Sequence, residues 1–260
     1  MSDDPVKLDY APPVARLVLN RPDRLNALNN AIWDAIPALL ARAAADPEVK
    51  LLLVSGVDAN AFAAGADIGE FAQIVASGAA KDYAARMGRA TRALASFPKP
   101  TIAVIQGPCV GGGCNIAMCC DFRFADGTAR FGATPARLGM VYPLEDTKRL
   151  IETVGLGAAR DLLMTGRIIA ADEAKAIGLV DRLWPADQLW DETHAYAATL
   201  SGLSQFSIRA AKAIFGQILA GECEETDLSN QLFADGFAGE DLAEGARAFL
   251  EKRKPRFTFS

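Results

Sequence analysis

The sequence predicts an α/β fold, a core in which short buried strands alternate with helices, followed by a nearly all-helical C-terminal region. Three observations predict it. The runs at residues 50–55 (Lys-Leu-Leu-Leu-Val-Ser) and 101–105 (Thr-Ile-Ala-Val-Ile) are apolar without alternation, as expected of strands covered on both faces. Helical patterns separate such strands up to about Asp181, which indicates mostly parallel pairing. From Asp187 onward the pattern is helical, with candidates at residues 189–200, 207–219 and 241–252. The change falls near Ala186, dividing the chain into residues 1–186 and 187–260.

In order along the chain, residues 14–20 alternate and are rich in Val and Leu, so they read as a strand, broken by Arg21-Pro22-Asp23. Asn29 or Asn30 is placed to cap a helix through Ile32, Ile36, Leu39 and Leu40, which Asp46-Pro47 ends. Pro37 inside that pattern argues against an unbroken helix. A loop at residues 56–65 follows the 50–55 strand. Residues 82–96 read as a helix stopped by Phe97-Pro98-Lys99-Pro100, and Gly111-Gly112-Gly113 opens another through Met118 and Cys120. Residues 122–124 read as a further short strand.

The chain has 260 residues, 51% of them hydrophobic, enough for a sizeable core. A net charge of −5, from 27 basic and 32 acidic residues, argues against general nucleic-acid binding, which needs a basic face. The start, Met1-Ser2-Asp3-Asp4-Pro5, is acidic and polar with no apolar stretch after it, so no secretory or transit signal is expected. No uncharged apolar run is long enough for a bilayer, and no membrane role is expected. Cys109, Cys114, Cys119, Cys120 and Cys223 are odd in number, which reads as reduced thiols in a cytoplasmic protein. Their spacing does not suit zinc, and they read as small buried packing groups rather than metal ligands.

Three stretches could carry chemistry. Phe62-Ala63-Ala64-Gly65-Ala66-Asp67-Ile68 is rich in small residues that let a backbone approach a ligand. Gln106 through Asn115 joins a buried strand to a helix start, where unpaired N–H groups and the helix dipole favour an anion or a developing oxyanion. It is no phosphate-binding loop, because no Gly-Lys-Ser/Thr follows, and it lacks the dinucleotide spacing. Close helix-on-strand packing would favour the same glycines. The third stretch, residues 130–143, reads as a structured loop returning over the second.

Together these stretches resemble the crotonase (enoyl-CoA hydratase/isomerase) superfamily over nearly the whole chain. The resemblance includes Asn20-Arg21-Pro22, Leu25-Asn26-Ala27-Leu28, residues 62–68, Gly111-Gly112-Gly113-Cys114, Phe131-Gly132 with Leu138-Gly139, Thr165-Gly166-Arg167, Gly178-Leu179-Val180 and residues 249–255. It implies a crotonase-like spiral of ββα units in residues 1–186, holding an acyl-CoA site, and a helical C-terminal oligomerisation region that makes homotrimers or hexamers. It implies an oxyanion hole of the Ala66 and Gly112 N–H groups, which stabilises a thioester enolate. It places the Ala64 carbonyl, near Asp67 and Ile68, at the CoA adenine, Arg24 and Leu25 by the pyrophosphate, and Lys252 within reach of the 3′-phosphate. No cofactor is implied beyond coenzyme A as part of the substrate.

The departures from the family pattern bear on mechanism. Its hydratases use two glutamates, which fall at Asn115 and Pro135 here. Neither replacement titrates near neutral pH, so the paired-carboxylate route is missing at both places. Position 143, an aspartate in some members, is Pro143. Glu145 and Asp146 stand where the family has glycines opening a helix; N-terminal helix charge is their default role, with recruited acid the alternative. The lone histidine, His194, lies on a late helix, and with no second histidine a Ser-His-Asp triad has little support.

Thr134-Pro135, Leu138-Gly139 and Tyr142 resemble the methylmalonyl-CoA decarboxylase branch, which also lacks the second glutamate and places a tyrosine at this position. The match departs at Ala66, a histidine there, and at Asn115, a glutamate there. Three readings stay open at this level: a family hydratase, isomerase or lyase working through an enolate; a malonyl- or methylmalonyl-CoA-type decarboxylase using Tyr142; and an acyl-CoA binder without catalysis.

Overall fold

A computed structural model describes residues 4–258; Met1, Ser2 and Asp3, from the acidic start, lie outside that range. A six-stranded sheet forms the centre. Its strands are β1 (Val6–Ala11), β2 (Val14–Leu19), β3 (Leu51–Gly56), β4 (Thr101–Ile105), β6 (Phe122–Asp126) and β9 (Arg182–Trp184), in that spatial order. All pairs are parallel except β1 with β2. β1, Val-Lys-Leu-Asp-Tyr-Ala, is a half-exposed edge strand that sequence inspection passed over.

Alternate residues of the central strands face opposite ways, and both faces are covered. Leu52, Val54, Ala103 and Ile105 join the larger core with the helices α1 (Asn30–Ala45), α3 (Ala80–Ala95), α4 (Gly112–Met118) and α5 (Leu144–Thr165). Leu51, Leu53, Ile102 and Val104 face a second core against α7 (Leu189–Ser201). This double burial is why β3 and β4 carry apolar runs instead of an alternating pattern.

A second sheet of three short strands, β5 (Pro108–Val110), β7 (Arg130–Gly132) and β8 (Ile169–Ala170), stands beside the first. β4, β5 and α4 form one ββα unit, and β6, β7 and α5 the next. In each unit the first strand joins the large sheet and the second joins the small one. The segment after β3 follows the same path without a full strand: Ala63 bridges Cys109 in parallel before α2 (Ile68–Ser77) begins. The α/β class and the spiral of such units agree with the sequence reading.

Pro37 does not break α1. Ile32, Trp33, Ile36, Leu40 and Ala43 on its inner face are buried, and that apolar burial outweighs the one hydrogen bond a proline removes. Asn29 is the N-cap, its side chain accepting from the Ile32 N–H. The remaining elements are α6 (Ala171–Ala176), α8 (Gln205–Ala220), α9 (Asp227–Ala238) and α10 (Glu240–Leu250). α9 was missed in the sequence, although Thr226 and Ser229 form a capping box at its start. No described helix is long and apolar enough to cross a membrane.

Candidate active site

The Ala63–Cys109 pairing sets the site's register. Ala63 N–H donates to Pro108 O at 2.9 Å, and Val110 N–H donates to Ala63 O at 3.0 Å. Ala66 and Gly112 each lie three residues beyond this pair, at the level where the two chains leave the small sheet for α2 and α4. Ala66 is also the centre of a parallel bridge to Leu28. There the Leu28 N–H donates to Gly65 O at 2.7 Å and the Asp67 N–H to Leu28 O at 2.9 Å, so the N–H of Ala66 itself turns to the other side. Gly111 N–H is taken by Gly132 O at 2.7 Å, leaving Gly112 as the first residue of α4. Among the described residues, neither Ala66 N–H nor Gly112 N–H has a backbone acceptor.

The glycines are required by this closeness. A Cβ at Gly113 would stand 2.4 Å from Ala63 O, and one at Gly112 would meet Leu28 Cδ1 at 2.9 Å. Gly65 adopts φ +105, a region that favours glycine.

A polar clamp built by Arg21 and Asn26, neither of them among the predicted site residues, holds the loop. Asn26 is fully buried at φ 56; its side chain accepts from Arg21 N–H at 2.8 Å and donates to Ala61 O at 2.7 Å. Arg21 pairs with Asp67 at 2.8 Å and donates to Ala27 O. Asp67 is also the N-cap of α2, accepting from Gly69 N–H at 3.0 Å. The Arg21 guanidinium is the main cause holding the Asp67 carboxyl below the usual range. The motif Asn20-Arg21-Pro22 with Leu25-Asn26 therefore builds the loop, and Asp67 is engaged in the same clamp.

The third stretch does return over the second. The Tyr142 hydroxyl donates to Asn115 Oδ1 at 3.1 Å and lies 3.4 Å from Gly111 O. Asn115 is buried in the first turns of α4. Asp146, only 2% exposed, accepts from Arg149 at 2.9 Å. Burial raises the Asp146 carboxyl above its usual range, with the Asn115 and Arg149 contacts working against the rise. Burial likewise pushes the Tyr142 hydroxyl well above its ordinary value. Glu145 differs: it is half exposed and paired with Arg92 at 3.0 Å and Arg149 at 3.8 Å. Of the two acids that open α5, Asp146 is buried against Arg149 and Glu145 is half exposed.

Pro135 starts a short 3-10 helix, Pro135–Leu138, and Pro143 is the N-cap of α5. Arg24 is exposed, and Leu25, in a left-handed turn, accepts from Ala64 N–H at 2.9 Å. Ile68 is 61% exposed at the start of α2. The structure thus gathers Leu25, Ala64, Ala66, Asp67 and Ile68 on one rim, with Gly112, Asn115 and Tyr142 beside it. Lys252 lies apart in an exposed turn after α10, and among the described residues no hydrogen bond or ion pair joins its side chain to that rim. His194 is exposed against Trp190. Cys109, Cys114, Cys119 and Cys120 are buried, while Cys223 is exposed. Among the described residues, no group of three or more His, Cys, Asp or Glu side chains could hold a metal.

The family model for enoyl-CoA hydratase/isomerase matches residues 11–259. The chain belongs to the enoyl-CoA hydratase/isomerase family. Crotonyl-CoA hydratase of Syntrophomonas wolfei is 36% identical over 99% of both chains. The 2,3-dehydroadipyl-CoA hydratase of Escherichia coli is 36% identical over 94% of each. The crystal structure of an enoyl-CoA hydratase/isomerase family protein from Hyphomonas neptunium superposes with a TM-score of 0.95 at 48% identity, covering 98% of both chains. Within an enoyl-CoA hydratase/isomerase family fold, then, this chain carries an amide at Asn115, a proline at Pro135, and a Tyr142–Asn115 hydrogen bond beside α4.

Proposed function

We propose that the protein is an acyl-CoA enzyme that binds a thioester carbonyl between the Ala66 and Gly112 N–H groups and stabilises the enolate formed from it. The carrying observation is the shared register of those residues past the Ala63–Cys109 pair. Adjacent strands run about 4.8 Å apart, a span that one acceptor can bridge with two donors at about 2.9 Å. Donors fixed by the fold need no reorganisation as charge develops, and each typically contributes about 3–4 kcal/mol of barrier lowering.

The lining favours a reaction that makes its own enolate. Asn115 and Pro135 offer no base, Asp146 is buried and paired with Arg149, and Glu145 is held by two arginines. Decarboxylation of a malonyl- or methylmalonyl-type thioester fits. The bond to the carboxylate carbon breaks, its electron pair enters the enolate, and carbon dioxide leaves. The α-carbon then takes a proton from water or from the Tyr142 hydroxyl, which water reprotonates. A neutral wall suits this step, since a glutamate beside the departing carboxylate would repel it.

In this reading Ala64, Ile68, Arg24 and Leu25 line the coenzyme A moiety, which belongs to the substrate, and no resident cofactor takes part. Asp67 shapes that rim through Arg21. Lys252 reaches a 3′-phosphate from a neighbouring subunit of a trimer or hexamer.

The test is a panel of crotonyl-CoA, a 3-enoyl-CoA, malonyl-CoA and methylmalonyl-CoA, each assayed for product, with calorimetry on non-reactive acetoacetyl-CoA. Turnover of one of the malonyl thioesters is expected. Hydration of crotonyl-CoA at ordinary enzyme rates, abolished by Glu145→Gln or Asp146→Asn, would replace decarboxylation with acid-assisted hydration. Absence of binding at millimolar acetoacetyl-CoA would remove the acyl-CoA reading itself.

A further inference from the structure

We propose that a cavity between the end of α1 and the start of α8 binds a small phosphate-type anion, at a site separate from the acyl-CoA rim. The cavity has a volume of about 250 Å³, and Lys50, Lys99 and Arg209 line it together with Gln205. No acidic residue is among the described residues of its lining. The three cations are bound to backbone carbonyls instead of carboxylates. Lys50 Nζ donates to Ser201 O at 3.0 Å, and Lys99 Nζ to Ala43 O at 3.1 Å and Asp46 O at 2.6 Å. Arg209 Nε donates to Gln205 O at 3.2 Å, within its own helix. Among the described residues, none of the three is in an ion pair. Asp46, the C-cap of α1, accepts from the Glu48 N–H at 2.9 Å and is not on the lining.

Closing helix ends accounts for part of this. Lys99 and Lys50 satisfy carbonyls at the ends of α1 and α7. It does not account for their meeting Arg209 around one cavity, where like charges repel. An ammonium and a guanidinium also carry more N–H donors than these carbonyls take, so each side chain keeps donors that the protein leaves unused. Lys99 is only 6% exposed. Burial holds its ammonium below its ordinary value, Asp46 opposes that, and the Arg209 charge adds to it. A multivalent oxyanion would relieve both costs at once, and Arg with Lys is the usual pair for phosphate. The volume lies below the roughly 300–1,000 Å³ of sites that take drug-sized ligands, which suits a phosphate or diphosphate group.

The position separates this cavity from the candidate active site. Lys50 and Lys99 lead into the parallel strands β3 and β4, whereas Ala66 and Gly112 follow their far ends. Strands of this length at about 3.3 Å per residue put roughly 15–20 Å between the two. An anion held here would bind α8, the first helix after α7, to the α/β core.

The experiment uses pyrophosphate as the probe, in thermal melts and calorimetry at constant ionic strength, with chloride as the control. Pyrophosphate is expected to bind saturably at millimolar concentration and to raise the melting temperature by about 3 °C. Binding should be unchanged when the protein is first saturated with acetoacetyl-CoA. Lys50→Gln and Arg209→Gln should each weaken it about tenfold, as loss of one charged contact would. Melts in chloride check that the variants fold, and Arg209→Lys serves should Arg209→Gln melt early. Adenosine diphosphate distinguishes the sources: binding as tight as that of pyrophosphate assigns the site to a nucleotide's phosphates, and exclusion assigns it to the free anion, the phosphate site standing in both cases. Absence of saturable binding, equal binding by the variants, or competition with acetoacetyl-CoA would overturn the proposal. None of these outcomes depends on which acyl-CoA reaction the protein performs.

Discussion

The Tyr142 hydroxyl and the Asn115 amide oxygen meet at 3.1 Å, tying the residue before the α5 cap to the first turns of α4. One helical turn earlier stands Gly112 N–H, so the phenol is tied to the helix start that carries one of the two proposed oxyanion donors. Tyr142→Phe is expected to slow turnover of the malonyl-type substrate by about 10²-fold, the lower end for a positioned proton-transfer group. Acyl-CoA affinity should stay near wild type, because the amides and the CoA rim are untouched. Steady-state kinetics beside calorimetry checks both halves; a matched rise in KM would indicate a packing role instead.

The Arg21–Asp67 pair gives the loop an acid-sensitive element. The Asp67 carboxyl titrates below its usual 3.8, chiefly through Arg21. A carboxyl with a depressed native value contributes stability that is complete above the unfolded value and is lost as the pH falls through the native one. Arg21→Gln should therefore cost about 1 kcal/mol near neutral pH, and the difference from wild type should shrink as the pH falls below 3.8. Urea titrations at pH 7 and pH 3 measure it. A difference that does not change with pH would assign the cost to the lost bond with Ala27 O.

The approach of α4 to the loop predicts which glycine matters. At Gly113 a methyl group would sit 2.4 Å from a backbone oxygen that the small sheet holds in place, so the backbone must move. Gly113→Ala should destabilise by about 1–3 kcal/mol, the usual range for overpacking, and should weaken acyl-CoA binding as Ala63 and Ala66 shift. At Gly127 a Cβ meets nothing within 4 Å, so Gly127→Ala should leave both stability and binding unchanged. Thermal melts with and without acetoacetyl-CoA separate the two positions.

Much of the frame was legible because burial leaves a mark on sequence. β3 and β4 are covered on both faces and read as apolar runs; α3, with its inner face at Ala90, Thr91 and Leu94, shows the helical period. The small sheet was not legible, because β5, β7 and β8 are only two or three residues long, too short for any period to show. The two candidate oxyanion amides could be named from motif order, but their shared level comes from the Ala63–Cys109 pairing, a contact between distant segments. The same holds for Asp146. Next to Glu145 in sequence it looks like ordinary helix-start charge; only tertiary packing separates a buried acid on Arg149 from a half-exposed one on Arg92. Arg21 and Asn26 lay inside a recognised motif, yet their role as a clamp depends on Ala61 and Asp67, 35 and 46 residues away.

The C-terminal helices carry a final prediction about assembly. Phe215, Phe233, Phe237 and Phe249 are 61–83% exposed, and Phe233 and Phe237 pack in a tilted pair with ring centroids 5.0 Å apart. An apolar surface of that kind on α8, α9 and α10 favours covering by another subunit, at about 25 cal/mol per Å² buried. A trimer or hexamer is expected in light scattering at micromolar protein, and Phe233→Asp with Phe237→Asp should shift it toward monomer. Lys252 lies in the turn just after α10, beside the same helical region, so assembly and ligand binding should be linked. Lys252→Ala is expected to weaken acetoacetyl-CoA binding about tenfold while leaving affinity for the 3′-dephospho analogue unchanged, as loss of one phosphate contact would. The dissociated Phe variant should show the same selective loss if the lysine is supplied by a neighbour. A monomeric wild type would dismiss the shared site, whereas an oligomer indifferent to Lys252→Ala would dismiss only the phosphate contact.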